Sequence, residues 1–420
     1  MNCFNAILAV LALLSLVLAL WQWLAACRFP LHQRIADSRF APPISILKPL
    51  KGCDDTTAES LQSWFSQKYS GQTQILFGVA DANDPACKIV QDIIAKNPNC
   101  DAQLIVCEKL AGTNAKVAKL ARLEKLAKHE LILVSDADVR VPPDFLVNIV
   151  APLTRPSATL SPSDGERDGV RGEIGLVNCF YRLANPTTTA MQWEAVAVNA
   201  DFWSQVLQSQ SLKPLDFALG AAILMRRNAL AEIGGFQTLA DCLADDYQLG
   251  HRISKNGHRI ALCPVVAECW HAPMNWRDVW KHQLRWARTI RVCQPLPYFF
   301  SILSNATFWP LLWLASELCG SLTMTVPNAQ FNPVRSFEIK IALIDGMIFV
   351  IAILLVRIVL AQNLQRRFTP ERNLVSPLWL VPMKDLLQAA IWFCAFTGNT
   401  VEWRGRKMKL RRDGTLVEEK

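Results

Sequence analysis

Apolar residues are distributed along this chain in two ways. In residues 3–26, and again after residue 296, they form long runs. Between residues 40 and 295 they come in short strand-length runs separated by stretches with apolar residues at helical spacing. The first long run, Cys3 to Ala26, carries no charge, which is enough length to span a bilayer. It lacks a basic n-region, exceeds the h-region of a signal peptide and carries Trp21 and Trp23 near one end, so an uncleaved anchor is expected over residues 1–27. Leu296 to Val326 and Ile341 to Ala361 each suit one further span, with Glu317 and Asp345 as the only acidic interruptions. Leu374 to Phe396 contains Pro377, Pro382 and the Lys384-Asp385 pair, and is expected to lie along or re-enter the membrane.

Charge orients these segments. Arg28, Arg34 and Arg39 follow the first run and no basic residue precedes it, while the linker QNLQRRFTPER and the tail RGRKMKLRR are both basic. By the positive-inside rule the N-terminus lies outside and the middle of the chain faces the cytoplasm, in a multi-pass protein. Thirteen cysteines, without a CxxC pair, suit reduced thiols rather than a disulfide framework or a zinc site. The formal net charge of +8 suits an anionic ligand or an anionic leaflet. Nucleic acid would favour the same sign, but the basic residues flank membrane segments and no recognition motif accompanies them.

The water-facing part, residues 40–270, alternates strand with helix. ISILKPL (44–50), QILFGVA (74–80), AQLIVCE (102–108) and LILVSDAD (131–138) read as strands, and TAESLQSWFSQ, the segment after Pro85 and NAKVAKLARLEKLAKHE (114–130) as helices. This βαβ rhythm predicts an α/β domain with a mostly parallel, Rossmann-like sheet. In such sheets ligands bind beyond the carboxyl ends of the strands, where Asp81 and Asp136 fall. No GxGxxG or GxxxxGK[ST] is present, so dinucleotide and P-loop readings lack their phosphate cradle.

Asp136-Ala137-Asp138 places two carboxylates one residue apart at a strand end, a pattern able to grip Mg²⁺ or Mn²⁺ together with substrate phosphates. A solvated turn is the plainer reading. Asp81 and Asp84 sit at an earlier strand end, where they could accept hydrogen bonds from a nucleobase and ribose. Asp245 and Asp246 open a helix, where capping alone would account for them. Residues 271–295 form an amphipathic helix with a basic stripe of Arg277, Lys281, Arg285 and Arg288, suited to a membrane interface or to neutralising a diphosphate. The apolar helix Thr188 to Leu207 is a candidate lipid entrance or simply core. Residues 154–169, rich in Ser, Pro and Gly, read as a flexible surface loop.

Taken in order, SILKPLKGCDD, DANDPA, SDADVRV, GAAILMRRNAL with GGF, LADDYQLG and HQLRW, between an N-terminal anchor and C-terminal membrane segments (296–398) with a basic tail (399–420), resemble the membrane-bound GT-A glycosyltransferases. More closely the set is similar to ceramide glucosyltransferases and their bacterial relatives, including the hopanoid-biosynthesis-associated glycosyltransferases. The resemblance covers nearly the whole chain. It implies a GT-A domain that takes a UDP-sugar donor and a lipid acceptor, ceramide or hopanoid. It further implies that Asp81 and Asp84 hold the uridine, that Asp136 and Asp138 hold a divalent metal on the diphosphate, and that Asp246 is the general base. Arg285 and Trp286 would end the (Q/R)xxRW motif near the leaving group. That motif begins here with His282, a departure that leaves its part less defined. The implied activity is inverting transfer of a hexose, with an N-acetylhexosamine to a hopanoid as the alternative. A processive polysaccharide synthase would need more spans, and a non-catalytic transporter or scaffold would give Asp246 no function.

Overall fold

The computed structural model describes residues 3–35, 39–108, 111–154, 172–323, 333–369, 376–403 and 406–418. The Ser/Pro/Gly-rich segment from residue 155, the last residues of the second apolar run and the opening of the fourth lie outside them. The chain divides into two compact units, Met1–Arg28 with Gln192–Gln208 and His282–Gly398, and Phe29–Met191 with Ser209–Lys281 and Asn399–Lys420.

The second unit is built on an eight-stranded sheet. Its strands are β1 (Ile44–Pro49), β2 (Thr73–Val79), β3 (Asp101–Val106), β4 (Leu131–Ser135), β5 (Val139–Arg140), β6 (Ile174–Leu183), β7 (Ala222–Arg226) and β8 (Arg259–Cys269). The order is β3-β2-β1-β4-β7-β6-β8-β5. β1, β2, β3 and β4 run parallel, as the βαβ reading requires, and β6 pairs with β8 in parallel. β7 is antiparallel to both β4 and β6. The sheet is therefore mixed and mostly parallel, the α/β arrangement expected of a GT-A domain. β1 and β4 are buried along their whole length, which is why their sequences are apolar runs rather than alternations. Leu47, Leu76, Val117, Leu120, Ile132, Met225, Phe236 and Leu249 form one core cluster that joins the sheet to the flanking helices.

The helix over 114–130 is shorter than its sequence suggests, Ala115–Glu124. Beyond it, the backbone N–H groups of Lys128 and His129 donate to Ser45 Oγ, and Lys128 N–H also to Gln74 Oε1. These side-chain acceptors replace helical carbonyls, so the chain leaves the helix before β4.

The expected basic tail is folded. β9 (Thr400–Trp403), β10 (Arg406–Leu410) and β11 (Leu416–Glu418) form an antiparallel meander. Val401, Met408, Leu410 and Leu416 are buried on one face, while Lys407 and Lys409 are exposed on the other, so a period of two underlies what reads as a charge run.

The first unit is helical. Cys3–Arg28 and Leu343–Phe368 are each long and apolar enough to cross a membrane. The stretch after residue 296, read as one span, is a helix pair, Pro295–Ser304 and Phe308–Gly320, bent by 58°. Ala12, Ala19, Ala306, Ile353 and Leu360 pack together with Trp23, Trp309 and Trp313 around them. The small alanines let the helices approach closely. The helix expected over Thr188 to Leu207 carries a π-helical turn at Ala197–Phe202, and its Trp193 and Trp203 are buried, Trp203 stacking on Phe368 at 4.8 Å. Here the packing alternative holds: these rings are core, not an exposed entrance.

Candidate active site

Parallel strands end on the same side, so the carboxyl tips of β1, β2 and β4 share one edge. β7 runs the other way, with Ala222 opposite Ser135, which brings Gly220 and Ala221 to that edge. β8 delivers Cys269 opposite Val139, and His271 follows. Topology thus gathers residues far apart in sequence around the Asp136–Asp138 turn.

Asp136 Oδ1 lies 2.8 Å from Lys116 Nζ, and the same ammonium is 3.3 Å from Asp245 Oδ2. Lys116 stands in the first turn of its helix, where Asn114 caps the N-terminus by accepting from Lys116 N–H and Val117 N–H. A lysine there opposes the helix dipole, and the two carboxylates offset that cost. Asp246 joins the group at close quarters. Burial and then the neighbouring Asp245 push its carboxyl up to about 6, against the opposing pull of Lys116. Its Oδ2 sits so near Gly220 that a β-carbon placed there would stand 2.7 Å away.

Asp138 Oδ2 is 3.0 Å from His271 Nε2. Burial works against its ionisation, but the His271 hydrogen bond and the nearby charges prevail and hold its carboxyl below the ordinary value. Asp136 is raised, by burial first and by Asp138, with Lys116 opposing. The side chains of Asp136 and Asp138 remain 37% and 36% exposed, so water screens both. Behind the turn, buried Lys48 donates to Ser135 Oγ at 3.2 Å and to the Asp136 carbonyl, with its ammonium 4.7 Å from the Trp64 ring. Burial lowers its ammonium to about 7.

The other expected residues fall as follows. Both oxygens of Asp84 accept the Gly52 N–H at 3.0 Å, and Oδ1 also accepts Ala86 N–H. Asp84 thereby ties the loop after β1 to the start of the helix Ala86–Lys96. Asp81 is exposed and accepts from Asn83. His282, Arg285 and Trp286 lie on the helix Trp276–Cys293 within the first unit. His282 Nδ1 is 2.6 Å from Glu194 Oε1, which also accepts from Gln283 Nε2. The His282 ring stands 4.7 Å from that of Trp286. Glu194 is buried, so it fixes the imidazole's orientation.

A divalent cation was expected on Asp136 and Asp138. Asp136 already meets an ammonium, whereas Asp138 and His271 offer a carboxylate oxygen and an imidazole nitrogen side by side. A hard cation such as Mg²⁺ commonly takes one or two carboxylates and fills its other places with substrate phosphate. Asp138 supplies one such carboxylate, and His271 Nε2 beside it is an imidazole donor better suited to a transition-metal ion than to Mg²⁺. Among the described residues no group of three or more His, Cys, Asp or Glu side chains is gathered for a metal.

A second ionic cluster lies in the helical unit. Arg357 bonds Asp201 and Asp385, and Lys384 pairs with both acids. Thr307 Oγ1 donates to Asp385 at 2.7 Å. All five residues are buried.

Lys48, Lys116, Gly220 and His271 were missed in the sequence. Lys48 and Lys116 had a signal, a charge inside an apolar strand and a base at a helix N-terminus. Gly220 and His271 had none, since their neighbours are distant in the chain.

The glycosyl transferase family 21 profile matches residues 7–416. Ceramide glucosyltransferase 3 of Caenorhabditis elegans is 21% identical over 405 residues, 94% of this chain and 79% of the relative. An N-acetylglucosaminyltransferase of Bradyrhizobium diazoefficiens is 22% identical over 73% of this chain and 59% of its own length. Among solved structures, the mannosyltransferase PcManGT from Pyrobaculum calidifontis, in complex with GDP-Man and Mn2+, aligns with 83% of this chain and 98% of its own at 19% identity and a TM-score of 0.49, a likeness too loose to bear on the reading. The profile match runs through both units and every acidic motif described above: the chain belongs to glycosyl transferase family 21.

Proposed function

We propose that this protein transfers a hexose from a UDP-sugar to the hydroxyl of a membrane lipid of the ceramide type, with inversion at the anomeric carbon. The observation that carries the reading is Asp246, a carboxyl pushed up to about 6 beside Asp245 and Asp136 at the sheet edge where ligands bind. A base with a value near the working pH combines the right protonation state with driving force for proton transfer. Asp246 takes the proton of the lipid hydroxyl as that oxygen attacks the anomeric carbon. The bond from that carbon to the diphosphate breaks, and no second carboxylate is needed as a nucleophile, so a single displacement inverts the centre.

A divalent cation, Mg²⁺ or Mn²⁺, held by Asp138 with His271 would supply electrostatic stabilisation to the departing diphosphate. Lys116 keeps Asp136 and Asp245 in register and lowers their mutual repulsion. Asp81, exposed at the β2 tip, accepts from the ribose or base of the donor, and Asp84 holds the loop at Gly52 that borders it. Arg285, with His282 and Trp286 beside it, is assigned to the leaving diphosphate. The domain carrying these aspartates faces the cytoplasm, as the basic flanks of the spans indicate.

The similarity to a nematode ceramide glucosyltransferase supports ceramide as acceptor. The bacterial relative named for N-acetylglucosaminyl transfer supports the donor of a second reading, an N-acetylhexosamine, whose hopanoid acceptor rests on the sequence resemblance alone. The test is UDP release from UDP-glucose and from UDP-N-acetylglucosamine by detergent-solubilised protein, with short-chain ceramide or a hopanol added. Release that depends on one donor–acceptor pair and is lost in Asp246→Asn is expected. Equal release by wild type and Asp246→Asn defeats the proposal.

A further inference from the structure

The C-terminal meander touches the residues that introduce Asp245 and Asp246. Leu416 N–H donates to the Asp241 carbonyl at 2.7 Å, Leu243 N–H donates to the Gly414 carbonyl at 3.3 Å, and Cys242 forms an antiparallel bridge with Thr415. The turn that makes this possible is tightly specified. Asp413 Oδ1 accepts from Thr415 N–H and Oγ1, and Gly414 sits at φ +84°, where a side chain is strained. A β-carbon on Gly414 would stand 3.2 Å from Gln248 Nε2, on the helix that Asp245 opens.

The opposite side of the same segment is held by the loop that leads into the Lys116 helix. Asp241 Oδ1 accepts from Thr113 N–H and Oγ1, Asn114 N–H donates to the Ala240 carbonyl, and Asn114 Nδ2 donates to the Cys242 carbonyl, both at 2.8 Å. Residues 240–243 are thus a turn followed by a single bridge residue, hydrogen-bonded on both sides, by residues 113–114 on one and 414–416 on the other. Cys242 and Leu243 are buried. Two residues later the chain turns into Asp245, which meets Lys116 from the same 113–116 loop. The placement of the acidic pair therefore depends on both sides, and one of them comes from residues 414–416.

We infer that β9–β11 are a brace for the reaction centre, and that Leu416 and Gly414 are positioning residues acting through Asp246. This rests on Asp246 as the general base. The meander is not needed to complete the eight-stranded sheet, whose strands all precede residue 270. It is joined to the acidic segment by backbone hydrogen bonds, which set distance and direction together. Removing it frees one edge of residues 240–243, and a displacement of about 1 Å at a reacting group costs on the order of 10²-fold in rate.

The experiment compares the full chain in detergent with Leu416→Pro, which removes the N–H donated to Asp241, and with Leu416→Val, which keeps it. Deletion of residues 414–420 is a third arm. The readouts are kcat and KM for UDP-glucose with short-chain ceramide, and hydrogen exchange resolved by segment. Leu416→Pro and the deletion should lower kcat by about tenfold or more, leave KM for UDP-glucose within about twofold, and speed exchange in residues 241–248 but not in 131–140. Leu416→Val should match wild type. Unchanged kcat in Leu416→Pro alongside an inactive Asp246→Asn overturns the brace, and so does accelerated exchange across the whole sheet, which marks a folding role only. Should Asp246→Asn itself remain active, the reading of Asp246 fails, and faster exchange confined to 241–248 still separates that failure from the brace's own.

Discussion

In the helical unit two acids, Asp201 and Asp385, face two bases, Arg357 and Lys384, all buried, with Thr307 donating a further hydrogen bond. At the sheet edge Asp136, Asp245 and Asp246 gather around Lys116, Asp138 stands against His271, and burial brings Lys48 down to about 7. Both clusters are assembled from distant stretches of chain. The first balances its charges internally, so nothing is left over for a ligand, and its work is to hold helices together. The second keeps negative charge in excess and stays open to water at Asp136 and Asp138. At rest the excess is relieved by Lys116 and by the raised values of Asp136 and Asp246, and it suits the arrival of positive charge, a cation or the proton of an attacking hydroxyl.

The sharpest way to break the contrast is Arg357→Ala. It strands two buried carboxylates with one lysine, and loss of one partner from a buried pair costs about 3–5 kcal/mol. Thermal denaturation in detergent should show a large drop in stability or little folded protein. Asp246→Asn should do the opposite, lowering kcat by about 10²–10⁴-fold with stability kept. The sign follows from its raised value: a carboxyl at about 6 in the fold, above its unfolded range, contributes stability that is complete below the unfolded value and is lost as pH rises through 6. At neutral pH the ionised group is a burden that asparagine removes.

Gly220→Ala comes next. A β-carbon 2.7 Å from Asp246 Oδ2 must displace that carboxylate, and about a tenfold fall in kcat is expected, with donor KM little changed. The smallest effect is a shift in pH dependence. Activity should fall on the acid side near pH 6 as Asp246 takes up its proton. In Lys116→Gln that limb should move to higher pH, because the lysine charge lowers the Asp246 value. A limb that stays in place would remove Lys116 from the electrostatics of the base.

Much of the fold was legible because its first half follows local rules. β4 is an unbroken apolar run and β1 and β2 are mostly apolar, as burial on both faces requires, while the edge strand β3 is half-exposed and keeps polar positions. The helix before β4 was read too long because Ser45 and Gln74, partners from other strands, take over its backbone donors. The acidic motifs were visible as carboxylates at strand tips and a helix start. Their companions were not, since His271 reaches Asp138 only through the β5–β8 pairing and Gly220 reaches Asp246 only through the reversal of β7. The tail hid its strands in plain view. Lys407-Met408-Lys409-Leu410 alternates strictly, but its charge drew the eye to a membrane surface.

The bend at residues 305–307 decides how much bilayer the second apolar run can cover. Asn305 Oδ1 takes the N–H groups of Thr307 and Phe308, and its Nδ2 donates to the Asp385 carbonyl. Hydrocarbon offers no water to a broken backbone, so an interruption survives there only when protein groups answer it. Here the answering groups are already in place, fastened to the same aspartate that closes the ionic cluster. Hydropathy counts residues 296–326 as one long rod, but the helix after the bend, Phe308–Thr323, rises only about 24 Å, less than the roughly 30 Å of a hydrocarbon core. Asn305 thus answers the backbone at the bend from within the protein, so the apolar length around it does not by itself measure a span.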